Sequence, residues 1–151
     1  MTLQKSFGTV KRKKKVFISF DYDNDKHYKF LLGAWDANKN FDFVFKDETP
    51  GEINTNNIAR IKAGLTSKIK DAEYTLFIVG THANERHKDH KLIGFTNWIN
   101  FEAYQSIQFD NKLAVVKIDK AYSVPKELEG SGYWYLSGFE EKNVIKLLNH
   151  K

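Results

Sequence analysis

The segment Thr96-Asn97-Trp98-Ile99-Asn100-Phe101-Glu102-Ala103 holds the side chain best suited to chemistry in this sequence. Read as a helix from a Thr96 cap to about Phe109, it places Ile99, Ala103, Ser106 and Ile107 on a buried stripe. Trp98 and Glu102, four residues apart, then stack along the border of that stripe. Glu102 is therefore expected to be neither core nor fully solvated. It stands too far past the cap to be a capping-box glutamate, which belongs where Ile99 stands. A carboxylate partly desolvated beside an indole can hydrogen-bond a sugar or stabilise an oxocarbenium-like centre. Helix geometry alone leaves the ordinary reading open, because single helical glutamates are more often surface or structural residues.

Three acids, Asp21, Asp23 and Asp25, follow the first apolar run. Two acids there could hold Mg²⁺ as in a phosphoacceptor receiver, but the acceptor aspartate needed after the third strand is replaced by Gly80-Thr81-His82. The acids are read instead as a helix cap and a pocket wall. Their charge also opposes phosphate, so Phe20 to Asn24 cannot serve as a flavin-type phosphate loop. No GxGxxG, GxxxxGK[ST] or GxSxG sequence occurs. His82, His87 and His90 share one segment, yet they lack cysteine partners and the spacing of a helical ligand pair. A solvated basic loop is the reading, and no metal site is expected. The absence of cysteine excludes disulfides, thiolate metal sites and cysteine nucleophiles.

The elements that must position these residues follow from hydrophobic periodicity. Val16 to Phe20 is a short continuous apolar run, as a strand covered on both faces should be. Tyr28, Leu31, Leu32 and Trp35 recur at helical steps between Asp25 and Ala37. Phe41 to Phe45 alternates in part and reads as an edge strand, followed by a turn-rich loop from Lys46 to Gly51 that contains Pro50. Ile58, Ile61, Leu65 and Ile69 predict a second helix, with Asn54 or Thr55 available as its cap. Tyr74 to Val79 predicts the central strand. The polar, basic segment from Thr81 to Phe95 has no periodicity and is read as a functional loop. Lys112 to Ile118 and Tyr133 to Tyr135 predict two more strands, and Val144, Ile145, Leu147 and Leu148 a closing helix.

Strands alternating with helices imply a parallel sheet covered on both faces: a flavodoxin-like three-layer α/β domain of about five strands, spanning 1–151 with a basic flank at 1–14. Ligands of such sheets bind at the carboxyl ends of the strands. The 151 residues are 41% apolar and 28% charged, as in a soluble globular protein, and no run is long enough to span a bilayer, so a cytoplasmic location is expected. Much of the net charge of +5 sits in Lys11-Arg12-Lys13-Lys14-Lys15. Without a reader motif or interleaved aromatics, that run is a solvated flank drawing anions rather than a nucleic-acid site.

Three segments, Lys15-Val-Phe-Ile-Ser-Phe-Asp-Tyr-Asp-Asn-Asp25, Tyr74 to Gly80 and Trp98-Ile-Asn-Phe-Glu102, make the chain resemble TIR domains, and more closely the TIR-like proteins of the Thoeris antiphage system. In that family the glutamate of a Trp-x-x-x-Glu segment is catalytic for NAD cleavage, and the matching position is Glu102. The resemblance implies that Phe20, Asp21 and Tyr22, Lys46 and Asp47, and Trp98 line the NAD pocket. It further implies NAD as substrate with no cofactor, an ADP-ribose-derived cyclic signal for a downstream effector, and self-association that completes the site. A non-enzymatic TIR-like scaffold or adaptor is the alternative. Two departures stand out: a longer, more basic 81–95 segment, and Ile99 where many TIR domains have cysteine.

Overall fold

The computed structural model describes residues 14–36, 43–46 and 55–149. In chain order the elements are β1 (Lys14–Ser19), α1 (Tyr22–Asp36), β2 (Phe43–Lys46), α2 (Ile58–Asp71), β3 (Tyr74–Val79), the short α3 (His90–Ile93), α4 (Trp98–Gln108), β4 (Lys112–Lys117), a 3-10 turn (Lys126–Leu128), β5 (Trp134–Ser137) and α5 (Glu141–Leu148). The strands form one parallel sheet in the order β2-β1-β3-β4-β5. Six-residue strands β1, β3 and β4 make its centre, with four-residue β2 and β5 at the edges. The order reverses between β1 and β3, so the loops after these strands diverge and leave a crevice.

Alternation along the strands decides which helices each residue meets. Val16 and Ile18 of β1 and Tyr74, Leu76 and Ile78 of β3 face α1 and α5, packing with Leu32, Val144, Leu147 and Leu148. Phe17 faces the other way, against Ile61, Leu65 and Ile69 of α2 and Phe101 of α4. Phe77 and Val79 meet Ile99 and Ala103 of α4 and Leu128 on that same side. Each fully buried aliphatic or Phe side chain contributes about 1.5–3 kcal/mol relative to exposure. By the same alternation Ser19, two residues after Phe17, faces α4.

Helix starts differ from the periodicity reading. α1 begins at Tyr22 rather than Asp25, because Asp21 already caps it: its Oδ1 accepts from the Asp23 amide at 3.1 Å and its carbonyl from the Asp25 amide at 2.7 Å. α2 is capped by Asn57, whose side chain accepts from the Arg60 amide at 3.1 Å, and not by Asn54 or Thr55. α4 is capped by Asn97 in place of Thr96, with Oδ1 accepting from the Asn100 amide at 3.0 Å. At α2 and α4 several short polar residues stand side by side, and the one with extended backbone just before the first helical residue takes the cap.

Candidate functional site

A cleft of about 1090 Å³ opens at the carboxyl ends of β1 and β3. Phe20, Asp21 and Tyr22 form one wall and Trp98 and Ile99, at the start of α4, another. The 82–89 stretch supplies the rim through His82, Glu85, Arg86, His87, Lys88 and Asp89. Four of the residues assigned to the pocket, Phe20, Asp21, Tyr22 and Trp98, are thus brought together. Lys46 closes β2; Asp47 and the Pro50-Gly51 turn lie outside the described residues.

Asn97 fastens the rim to α4. Besides capping the helix, its Nδ2 donates to the carbonyls of Ala83 and Glu85, both at 2.8 Å. The segment from 81 to 95 is therefore pinned at its middle, and it contains a helical turn, α3, where no periodicity was apparent. Four residues, of which only Leu92 and Ile93 are apolar, are too few for a helical stripe to register. Within the rim, His82 Nδ1 pairs with Glu85 at 2.7 Å, and that bond is the main reason the imidazole holds its proton above the usual histidine range.

Glu102 lies one turn beyond Trp98, and the expectation of a border position is corrected: the residue is 1% exposed. Its neighbours explain this. From Trp98 to Ala103 every residue of α4 is buried, because α2, the sheet and the 3-10 turn close on the helix from three sides. Glu102 Oε1 accepts a 2.7 Å hydrogen bond from Ser19 Oγ, while Oε2 has no partner among the described residues. Burial raises the carboxyl from 4.5 to about 8, against the Ser19 hydrogen bond, which lowers it. At neutral pH the side chain is largely a neutral acid, ready to ionise when a cation approaches or a hydrogen-bond donor reaches Oε2.

A buried polar chain fixes this turn of the helix. Ser106 Oγ donates to the Glu102 carbonyl at 2.7 Å and lies 2.7 Å from Thr75 Oγ1, which accepts from Asn111 Nδ2 at 3.1 Å. With its proton committed to the carbonyl, Ser106 accepts from Thr75.

Asp25, read as part of the pocket wall, is 7% exposed and packs over Gly80; a Cβ at position 80 would collide with its carboxylate. Its Oδ2 has no partner among the described residues, and burial first, then the Asp21 charge, raises its pKa. Among the described residues no group of three or more His, Asp or Glu side chains is placed to hold a metal ion. Nor is any helix among them long and apolar enough to cross a membrane. Of the basic run, Lys14 and Lys15 open β1 at the end of the sheet away from the cleft, where their ammonium groups donate to the Leu148 carbonyl and Asp71.

Sequence reasoning placed Ser19 at the end of the first strand, where the ligand-binding stretch from Ser19 to Asp25 opens, but gave neither Ser19 nor Asn97 a role of its own. The signal for Ser19 was present: a lone hydroxyl in the apolar run Val-Phe-Ile-Ser-Phe, where a buried polar side chain must find a partner.

The model of the family described as Thoeris protein ThsB, TIR-like domain, matches residues 17–123. Among solved structures, the chain is similar to the CMP N-glycosidase BcmB of Clostridium botulinum, with 11% identity over 90% of this chain and 98% of that one, at a TM-score of 0.56. It is similar also to a 2-deoxyribosyltransferase from the psychrotolerant bacterium Bacillus psychrosaccharolyticus, with 15% identity over 91% and 92% of the two chains and a TM-score of 0.55. At such identities the likeness is one of fold. No curated protein matches the chain.

Proposed function

Because the chain belongs to the family of the TIR-like domain of the Thoeris protein ThsB, and so to the setting of Thoeris defence, we propose that it cleaves NAD at the bond between nicotinamide and ribose. The observation that carries this reading is Glu102: a buried carboxyl with one oxygen held and the other without a partner among the described residues, one helical turn beyond Trp98, which lines a cleft at the switch point of a parallel sheet. Two of the similar solved structures are named an N-glycosidase and a deoxyribosyltransferase, so this fold accommodates chemistry at nucleoside glycosidic bonds.

In the proposed reaction the C1′–N bond breaks and its electron pair stays on the pyridine nitrogen, so nicotinamide departs as a neutral molecule. The positive charge passes to an oxocarbenium-like ribose. Cationic nicotinamide favours the ionised form of Glu102, and the carboxylate binds the ribose hydroxyls and stabilises the charge developing at C1′. Trp98, Phe20 and Tyr22 supply apolar and aromatic surface for the bases, and Asp21 a polar wall. Water or a nucleophile of the same molecule then captures C1′, giving ADP-ribose or a cyclic product and a proton. The product is the signal for a downstream effector. No metal or redox cofactor enters this scheme, since the leaving group needs no further activation.

A second reading, a non-enzymatic TIR-like scaffold, draws on a different observation: Glu102 is 1% exposed and does not line the cleft, so a substrate reaches it only when the packing around it opens. Incubation with NAD at high protein concentration, with and without extract of phage-infected cells, separates the two. Chromatography with mass detection is expected to show nicotinamide and an ADP-ribose-derived product. NAD left intact under both conditions would favour the scaffold.

A further inference from the structure

We propose that Ser19 is the residue that positions Glu102, holding Oε1 through its hydroxyl so that Oε2 is the oxygen delivered to the substrate ribose. This rests on the reading of Glu102 as the NAD-cleaving carboxylate. The two residues come from opposite parts of the fold, the last residue of β1 and the second turn of α4, and both are buried, at 0% and 1% exposure. Their oxygens are 2.7 Å apart.

The pairing is asymmetric in a way that suits a substrate-binding carboxylate. A structural buried carboxyl has both oxygens satisfied, because a desolvated acceptor left alone is unfavourable. Here one oxygen is served and the other is left without a partner among the described residues. The residue after Ser19, Phe20, and the residue one turn before Glu102, Trp98, both line the cleft. Neither member of the pair lines the cleft itself; Trp98, on the same helix as Glu102, is the link between the pair and the cleft.

The hydroxyl also matters to the charge state. A donor to Oε1 stabilises the carboxylate more than the acid, so Ser19 opposes the effect of burial on Glu102. A Ser19 that merely fills space would leave the titration of Glu102 unchanged; a positioning Ser19 would not.

The test compares wild type, Ser19→Ala and Ser19→Cys in full-length protein. The first readout is nicotinamide release as a function of NAD concentration and pH, and the second is titration of the Glu102 carboxyl by NMR with ¹³C-labelled glutamate, assigned with Glu102→Gln. For Ser19→Ala the expected result is a fall in kcat of about ten- to a hundredfold, the range a hydrogen bond to a charged group commands. KM should change less than kcat, and the carboxyl midpoint should rise by about one unit. Ser19→Cys, which keeps the shape with a weaker donor, should fall between the two. Unchanged kcat and midpoint in Ser19→Ala would overturn the proposal, as would a lowered melting temperature with both readouts unmoved. If wild type releases no nicotinamide, the enzymatic reading falls, while the NMR midpoint still decides whether Ser19 holds Glu102.

Discussion

Ser19 Oγ and Glu102 Oε1 are 83 positions apart in the chain and 2.7 Å apart in the fold. That contact ties the carboxyl end of β1 to α4 across the switch point of the sheet, and with burial it sets the protonation state of the carboxyl. Two pH dependences with different readouts result.

The first concerns stability. Folding raises Glu102 from 4.5 to about 8, so between these values the folded chain keeps a proton that the unfolded chain has lost. Its contribution to stability is fully present below about pH 4.5, declines as pH rises through the window and is gone above about 8. Glu102→Gln removes this slope. Urea unfolding of both proteins at pH 5 and pH 9 should show wild type losing about 3–5 kcal/mol relative to the variant between the two. Parallel pH curves would mean that Glu102 is not buried as an acid.

The second concerns activity. If the ionised carboxylate is the working form, kcat/KM for NAD should rise with pH up to about 8, because this ratio reports the free enzyme. The kcat profile should have its limb at lower pH, since bound cationic nicotinamide pulls the carboxyl down. A kcat/KM profile flat from pH 6 to pH 9 would assign the role to another group.

Gly80 and Asp25 form a coupled pair. Gly80→Ala forces a methyl group into the Asp25 carboxylate and is expected to cost about 1–3 kcal/mol. In the double variant Gly80→Ala with Asp25→Ala the collision is gone, so the two effects should fall short of additivity by more than the ~0.5 kcal/mol typical of independent sites. Denaturant midpoints for the four proteins measure this. Simple additivity would place the carboxylate elsewhere.

Asn97 has two separable duties. Asn97→Asp keeps the cap of α4 but loses the donors to the Ala83 and Glu85 carbonyls, while Asn97→Ala loses both. Hydrogen exchange should show the 82–89 rim opening faster in both variants. Only the alanine variant should lose in addition the ~1 kcal/mol expected of a missing cap. Equal exchange in wild type and Asn97→Asp would deny that Asn97 anchors the rim.

The fold was readable because continuous apolar runs such as Tyr74 to Val79 and stripes such as Ile61, Leu65 and Ile69 have lengths and periods that few alternatives share. The caps were not, since Thr96 and Asn97 are both good caps and only backbone geometry distinguishes them. Glu102 was legible as a residue and misplaced in depth. A helical wheel assumes one buried face, and α4 is covered on three sides by elements far away in sequence. For the same reason Ser19 was given no role of its own: the partner that gives it meaning arrives through tertiary packing.

The central claim is that Glu102 is the carboxylate that cleaves NAD. Its most direct test is the rate of nicotinamide release by wild type and by Glu102→Gln, both at high protein concentration and both with the same fold by circular dichroism. A loss of at least about a hundredfold in the variant is expected, the scale of removing one preorganised electrostatic contact to a developing charge. NAD consumption by Glu102→Gln at the wild-type rate would contradict the account.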